Sequence, residues 1–117
     1  MAKSKVKKNI PPKWECAFEE FLWWKQANGL SQTTLNDYKD YVSRFYKQYP
    51  DVYVDEQKLK NSLFEYMGKP CKPAYYSLKL IYLRAFFTWC VENSIYTDNP
   101  LKKVTKRKAE GRIVNLD

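Results

Sequence analysis

Apolar positions along this chain fall into four segments of helical spacing, parted by short polar or proline-bearing breaks. In PPKWECAFEEFLWWKQANG, Trp14, Phe18, Phe21 and Leu22 recur at i, i+4, i+7 and i+8 and so share one helix face. Pro11 and Pro12 mark the start, and Gly29 can supply a left-handed stop. Trp24 flanks the stripe, whereas Trp23 points away from it at ~100° per residue. In the second segment Ser31 is a good N-cap, and Leu30 and Leu35 sit at hydrophobic-staple spacing. Leu35, Tyr38, Val42, Phe45 and Tyr49 form its stripe, and Pro50 ends it. The third repeats this grammar: Val54 precedes the cap Asp55, and Leu59 is the expected staple partner. Leu59, Leu63, Tyr66 and Met67 make the stripe, and Gly68 is the expected stop. The intervening DVYV reads as an extended loop, because a lone strand would have no partner.

The fourth helix is predicted from about Pro73 to Asn93. Tyr76, Leu80, Leu83, Phe87 and Cys90 define one face, and Leu78, Ile81, Ala85 and Trp89 cover much of the other. A helix apolar on nearly all sides is surrounded by the rest of its fold. The prediction is therefore an all-α domain: a four-helix orthogonal bundle around a central, mostly buried fourth helix. Pro100 stops that run and suits the first turn of a short C-terminal helical stub, PLKKV. Ile95 is expected to fold back onto the core.

Composition narrows the class. At 117 residues, with 44% hydrophobic and 17% aromatic content, the chain can bury one core. Mean hydropathy is −0.68, and no apolar run approaches the ~20 residues of a membrane span. The basic start MAKSKVKKNIPPK leads into no apolar stretch, so it is not read as a signal peptide. The expectation is a cytoplasmic protein. Cys16, Cys71 and Cys90 are odd in number and widely spaced, which disfavours a disulfide framework and a zinc site. Histidine is absent, which excludes His-assisted triads. With three glycines, no phosphate loop and no clustered carboxylate pair, the chain is not read as an enzyme, and no cofactor or metal is expected.

Charge is uneven. Residues 1–13 carry five lysines and no acid, and residues 102–117 carry six basic residues against two acids. The middle holds 10 basic and 11 acidic residues. Basic arms suit a polyanion, and equally they can serve only as solubilising ends. Within the globular part, Lys69 to Val91 has four basic residues and no acid, which makes the start of the fourth helix basic.

The closing segment LRAFFTWCVENSIYTDNPLKKV resembles the end of the core-binding domain of tyrosine recombinases, the phage-integrase family. The resemblance is carried by Leu83, Arg84, Phe86, Phe87 and Trp89, then Asn99 and Pro100. Upstream, LSQTTLNDY is similar to the family's second helix through Ser31, Thr34, Leu35 and Tyr38. The match covers roughly residues 14–104. It departs at Cys90, where leucine is commoner, and at ENSIY, where the turn often carries glycine.

The resemblance implies a DNA-binding domain that recognises a core recombination site and clamps duplex DNA with a catalytic domain. That partner domain is expected outside this chain, with 1–13 as a basic arm, 14–104 as the binding domain and 105–117 as the interdomain linker. Neighbouring recombinase protomers on DNA are implied partners, and the isolated domain is expected to be monomeric. The family's second and fourth helices face the major groove. Carried over, the candidate contacts are Gln32, Thr33, Asn36 and Lys39, then Lys72, Tyr75, Lys79 and Arg84, then Lys102, Lys103, Lys106 and Arg107. Lysine and arginine would neutralise phosphates, while Gln32 or Asn36 could read a base edge. Lys79 is the foremost candidate, because its charge is expected to project past the core edge. Ser31 is first of all a cap, Tyr76 belongs to the buried stripe, and Arg84 could instead serve a structural pairing. Trp23 has no core role on the helical wheel and is the candidate protein contact. The competing reading is a small helical protein-interaction module with solubilising basic ends.

Overall fold

The computed structural model describes residues 10–104; residues 1–9 and 105–117 lie outside the described residues. The chain folds as an all-α four-helix bundle, with α1 at Trp14–Ala27, α2 at Gln32–Gln48, α3 at Glu56–Gly68 and α4 at Pro73–Glu92. α4 packs against each of the other three helices, and α1 also packs on α2.

Local sequence starts these helices. The Ser31 hydroxyl accepts the Thr34 N–H at 3.3 Å and caps α2. Asp55 does the same for α3 through the Lys58 N–H at 3.1 Å. Leu30 packs against the core beside buried Leu35, as a staple should. Val54 does not: it is 81% exposed, because the loop turns Val52 and Tyr53 inward instead. Gly68 is the last residue of α3, and the helix stops at extended Lys69 ahead of Pro70.

Two aromatic hubs hold the bundle. Phe21 of α1 meets Phe18, Tyr38, Phe86 and Trp89 at centroid distances of 5.2–6.0 Å. Phe45 of α2 meets Tyr46, Tyr49, Tyr66 and Phe87. The predicted face of α4 is buried throughout, from Tyr76 to Cys90. Its other side is covered only in part. Phe86 and Trp89 are buried, but Leu78 and Ile81 face solvent, because α3 lies against another flank of α4 and leaves this one bare.

α1 and α4 end alike. In α1 the Gly29 N–H reaches Gln26 O and the Leu30 N–H reaches Lys25 O, with Gly29 at φ +88°. In α4 the Ser94 N–H reaches Val91 O and the Ile95 N–H reaches Cys90 O, with Ser94 at φ +64°. Both are Schellman closures, which need a left-handed residue. A serine pays a steric penalty there that glycine avoids. Ser94→Gly is therefore expected to raise unfolding free energy by about 0.5–1 kcal/mol, read as a higher urea midpoint at unchanged slope.

Past α4, Ile95 packs on the core and Tyr96 is buried. The expected PLKKV stub is a pair of turns rather than a helix: the Lys102 N–H bonds Asn99 O and the Val104 N–H bonds Leu101 O. Asn99 organises these turns. Its side-chain amide donates to Arg84 O at 3.2 Å and Thr88 Oγ1 at 2.9 Å, and its side-chain oxygen accepts the Leu101 N–H at 2.9 Å.

The core also holds a chain of hydroxyls. Tyr96 donates to Tyr53 O at 2.9 Å, so the 3.2 Å contact between the Tyr46 and Tyr96 hydroxyls is donated by Tyr46. Burial pushes Tyr46 and Tyr96 well above the ordinary tyrosine value, Tyr53 to about 12, and the Cys90 thiol upward as well. Folding thus favours the neutral forms. The unfolded chain loses these protons from about pH 9 for cysteine and 10 for tyrosine, so the contribution is whole below that range and is lost as pH rises through and beyond it. The urea midpoint is expected to fall between about pH 8.5 and 10.5; a midpoint rising over that range would contradict the buried network.

Candidate nucleic-acid interface

The amino-terminal end of α4 meets α2 along a seam of cations and tyrosines. On α2, Asp37, Tyr41, Arg44 and Gln48 recur at i, i+4, i+7 and i+11, a second stripe beside the buried one. Asp37 accepts from the Tyr82 hydroxyl at 3.2 Å. Tyr41 stacks on Tyr82 at 5.1 Å, and Arg44 donates to the Tyr75 hydroxyl at 3.0 Å. The Arg44 guanidinium also lies over the Tyr41 and Tyr75 rings. Gln48 accepts from Lys69 at 2.7 Å, and that ammonium sits over Tyr49 and Tyr66.

Lys79 lies beneath this layer. It is 2% exposed, so the expected projection into solvent is corrected. Its Nζ donates to Tyr66 O at 3.3 Å and sits 4.5 Å from the Tyr66 ring centroid and 5.1 Å from that of Tyr75. Tyr66 O belongs to the last turn of α3, where carbonyls lack helical partners, and α3 has no basic residue of its own there. Lys79 supplies that missing cation. It cannot touch a phosphate from this position, though its charge still raises the local potential.

The tyrosines register this field. For Tyr75, burial works upward, but the hydrogen bond from Arg44, the nearby Tyr66 hydroxyl and the charges of Arg44 and Lys79 outweigh it, so its net shift is downward. Tyr66 moves the other way, chiefly by burial, and its hydroxyl, which faces Tyr75, makes no bond of full geometry.

Arg84 is half-buried and has a structural role. Its guanidinium holds Leu101 O at 3.2 Å and Val104 O, so it latches the C-terminal turns to α4. Lys72 is exposed at the N-cap of α4, whose first turn has Pro73, no acid and no side-chain cap. Tyr75 is half-buried at the seam through Arg44. Gln32, Thr33, Asn36 and Lys39 are all exposed on α2; Thr33 stands one turn before Asp37 on the seam stripe, whereas Gln32 and Lys39 face away from it. Gln32 donates to Asn36 at 3.1 Å, while Gln32 and Lys39 line a groove with Trp23 on the α1 side of the helix. Lys102 and Lys103 are exposed on the C-terminal turn; Lys106 and Arg107 lie outside the described residues.

Arg44 is the seam residue that sequence reasoning passed over. The signal was its place in the Asp37–Tyr41–Arg44–Gln48 stripe, which reads as solvent-facing until α4 is set beside it.

Trp23 is 62% exposed, in keeping with its place on the wheel, and Trp24 and Ile81, both exposed, line a groove between α1 and α4. Among the described residues no group of side chains could hold a metal, and no helix is long and apolar enough to cross a membrane. Comparison with protein families, with curated proteins and with solved structures finds no match to this chain.

Proposed function

We propose that this chain is a duplex-DNA-binding domain of the tyrosine-recombinase type, acting without catalysis of its own beside a catalytic domain and neighbouring protomers. The observation that carries the reading is the seam at the start of α4. There Arg44, Lys69 and Lys72 reach the surface over a buried ammonium, and no acid lies between Lys69 and Val91. The uncapped first turn of α4 adds N–H groups suited to a phosphate. Phosphate contacts would fix the domain on the duplex, while base reading would fall to polar groups such as Asn36 and Thr33. Lys102 and Lys103 add two exposed cations on the C-terminal turns. The resemblance in helices α2 and α4 supplies the recombinase part of the reading, and the seam supplies the DNA part.

The test is salt dependence. Duplex binding should weaken with a log–log slope steeper than about −3, since each phosphate contact contributes ~0.9. Arg44→Ala with Lys72→Ala should shallow that slope by about 1.8. A slope near zero, or no binding at low salt, would sink the proposal.

The exposed Trp23 favours a second reading, a protein-interaction module. That reading expects no DNA-dependent shift in the amides of 31–39 and 72–84, so one titration separates the two.

A further inference from the structure

The C-terminal turns and the face of α3 from Glu56 to Phe64 enclose an open cleft of about 560 Å³. Lys60, Lys102 and Lys103 line it, together with Phe64. We propose that this cleft binds one nucleotide unit of a single DNA strand, with its phosphate on the three lysines and its base against Phe64. The inference rests on the nucleic-acid reading and places a second contact on residues the α2–α4 seam does not use.

Phe64 is the first argument. It is 46% exposed, while its helix buries Leu59, Leu63, Tyr66 and Met67. It makes no ring contact among the described residues. The ring network that holds the core therefore does not include it. Lys60 stands one turn before it on the same helix face.

The second argument is charge. The Lys60, Lys102 and Lys103 ammonium groups make no hydrogen bond or ion pair among the described residues. Two acids also line the cleft, Glu56 and Asp98. Glu56 is already committed: its Oε2 accepts from the Thr97 N–H at 2.9 Å, the Thr97 hydroxyl at 2.8 Å and the Asp98 N–H at 3.1 Å. That leaves three free cations over one uncommitted carboxylate.

The third argument is order. Glu56 ties the 97–98 backbone to α3, and Asn99 ties the next turn to α4. Lys102 and Lys103 are thus carried on a braced turn facing Lys60 and Phe64. Free cations beside an exposed ring are the pairing that single-strand binding uses, with cations tracking the backbone and a π face taking any base. A base inside a duplex cannot offer its face, so the ligand is an unpaired strand.

The test uses the full chain, labelled with nitrogen-15 and titrated with an oligothymidylate of about eight nucleotides, its duplex counterpart and inorganic phosphate. The oligothymidylate should shift the amides of Gln57, Lys60, Phe64, Lys102 and Lys103. Phe64→Ala removes a half-exposed ring and should leave the fold intact; it should weaken oligothymidylate binding about 5- to 150-fold and leave duplex binding as it was. Phe64→Trp should restore it. Equal affinity of Phe64→Ala and the parent, or phosphate alone matching the oligothymidylate, would reduce the cleft to a cationic patch and overturn the proposal. Shifts confined to the α2–α4 seam would overturn it too. Failure of duplex binding with Phe64-dependent strand binding intact would remove the duplex reading and leave the cleft standing.

Discussion

Phe21→Ala should lower the unfolding free energy by about 3–5 kcal/mol, a large share of the ~5–15 kcal/mol that holds an ordinary domain. Phe21 is fully buried, and its ring is where α1, α2 and α4 meet: it packs edge-on against Tyr38, Phe86 and Trp89 and lies beside Phe18. Truncation removes all of these contacts at once and leaves a cavity between three helices that their backbones cannot close. For a domain of this size each kcal/mol moves Tm by about 4–8 °C, so thermal denaturation should show a drop of roughly 12–40 °C. Trp23→Ala, two positions along the same helix but 62% exposed, is the control and should stay within about 0.5 kcal/mol. A loss below about 1 kcal/mol for Phe21→Ala would mean that the aromatic hub is not what holds the bundle.

Asn99→Ala should cost about 2–4 kcal/mol. Asn99 is 8% exposed, and its side chain satisfies one buried N–H and two acceptors across two elements. Alanine leaves the Leu101 N–H without its partner and frees the Arg84 carbonyl from the turn. The Leu101 N–H must then stay dry and unpaired or pull the turn open, while the Arg84 carbonyl keeps its helical partner. Opening would displace Lys102 and Lys103 from their place opposite Lys60. Hydrogen exchange at Leu101 should therefore quicken along with the loss in stability. Exchange at the parent rate, with stability unchanged, would show that Arg84 alone secures the turn.

The helices were legible because their causes are local. Stripes at helical spacing, Ser31 and Asp55 as caps, and Gly29 at a left-handed stop all lie within a few residues of what they control. The resemblance-based suspicion that ENSIY wants a glycine finds a physical reason at Ser94, whose φ of +64° is the conformation glycine takes most easily. The limits were local too. Leu30 and Val54 occupy the same position relative to their caps, yet only Leu30 found a core to pack on.

The basic start of α4 was legible as a charge pattern, but where its cations sit was not, for one reason. A cation on an apolar helix reads as an exposed charge, because sequence does not show what carbonyls lie nearby. Lys79 and Arg84 both found them, at the end of α3 and in the C-terminal turns. Arg44, on a stripe that looked merely solvated, was brought to Tyr75 by helix packing.

By itself, then, the sequence determined the number of helices, their caps, their buried stripes and the basic start of α4. These depend on periodicity and on hydrogen bonds spanning three or four residues. Only the tertiary structure decided which cations remain free. Whether a lysine meets solvent, a ring or a carbonyl at the end of an element depends on residues far along the chain, and on the angle at which α3 and the closing turns come to rest against α4.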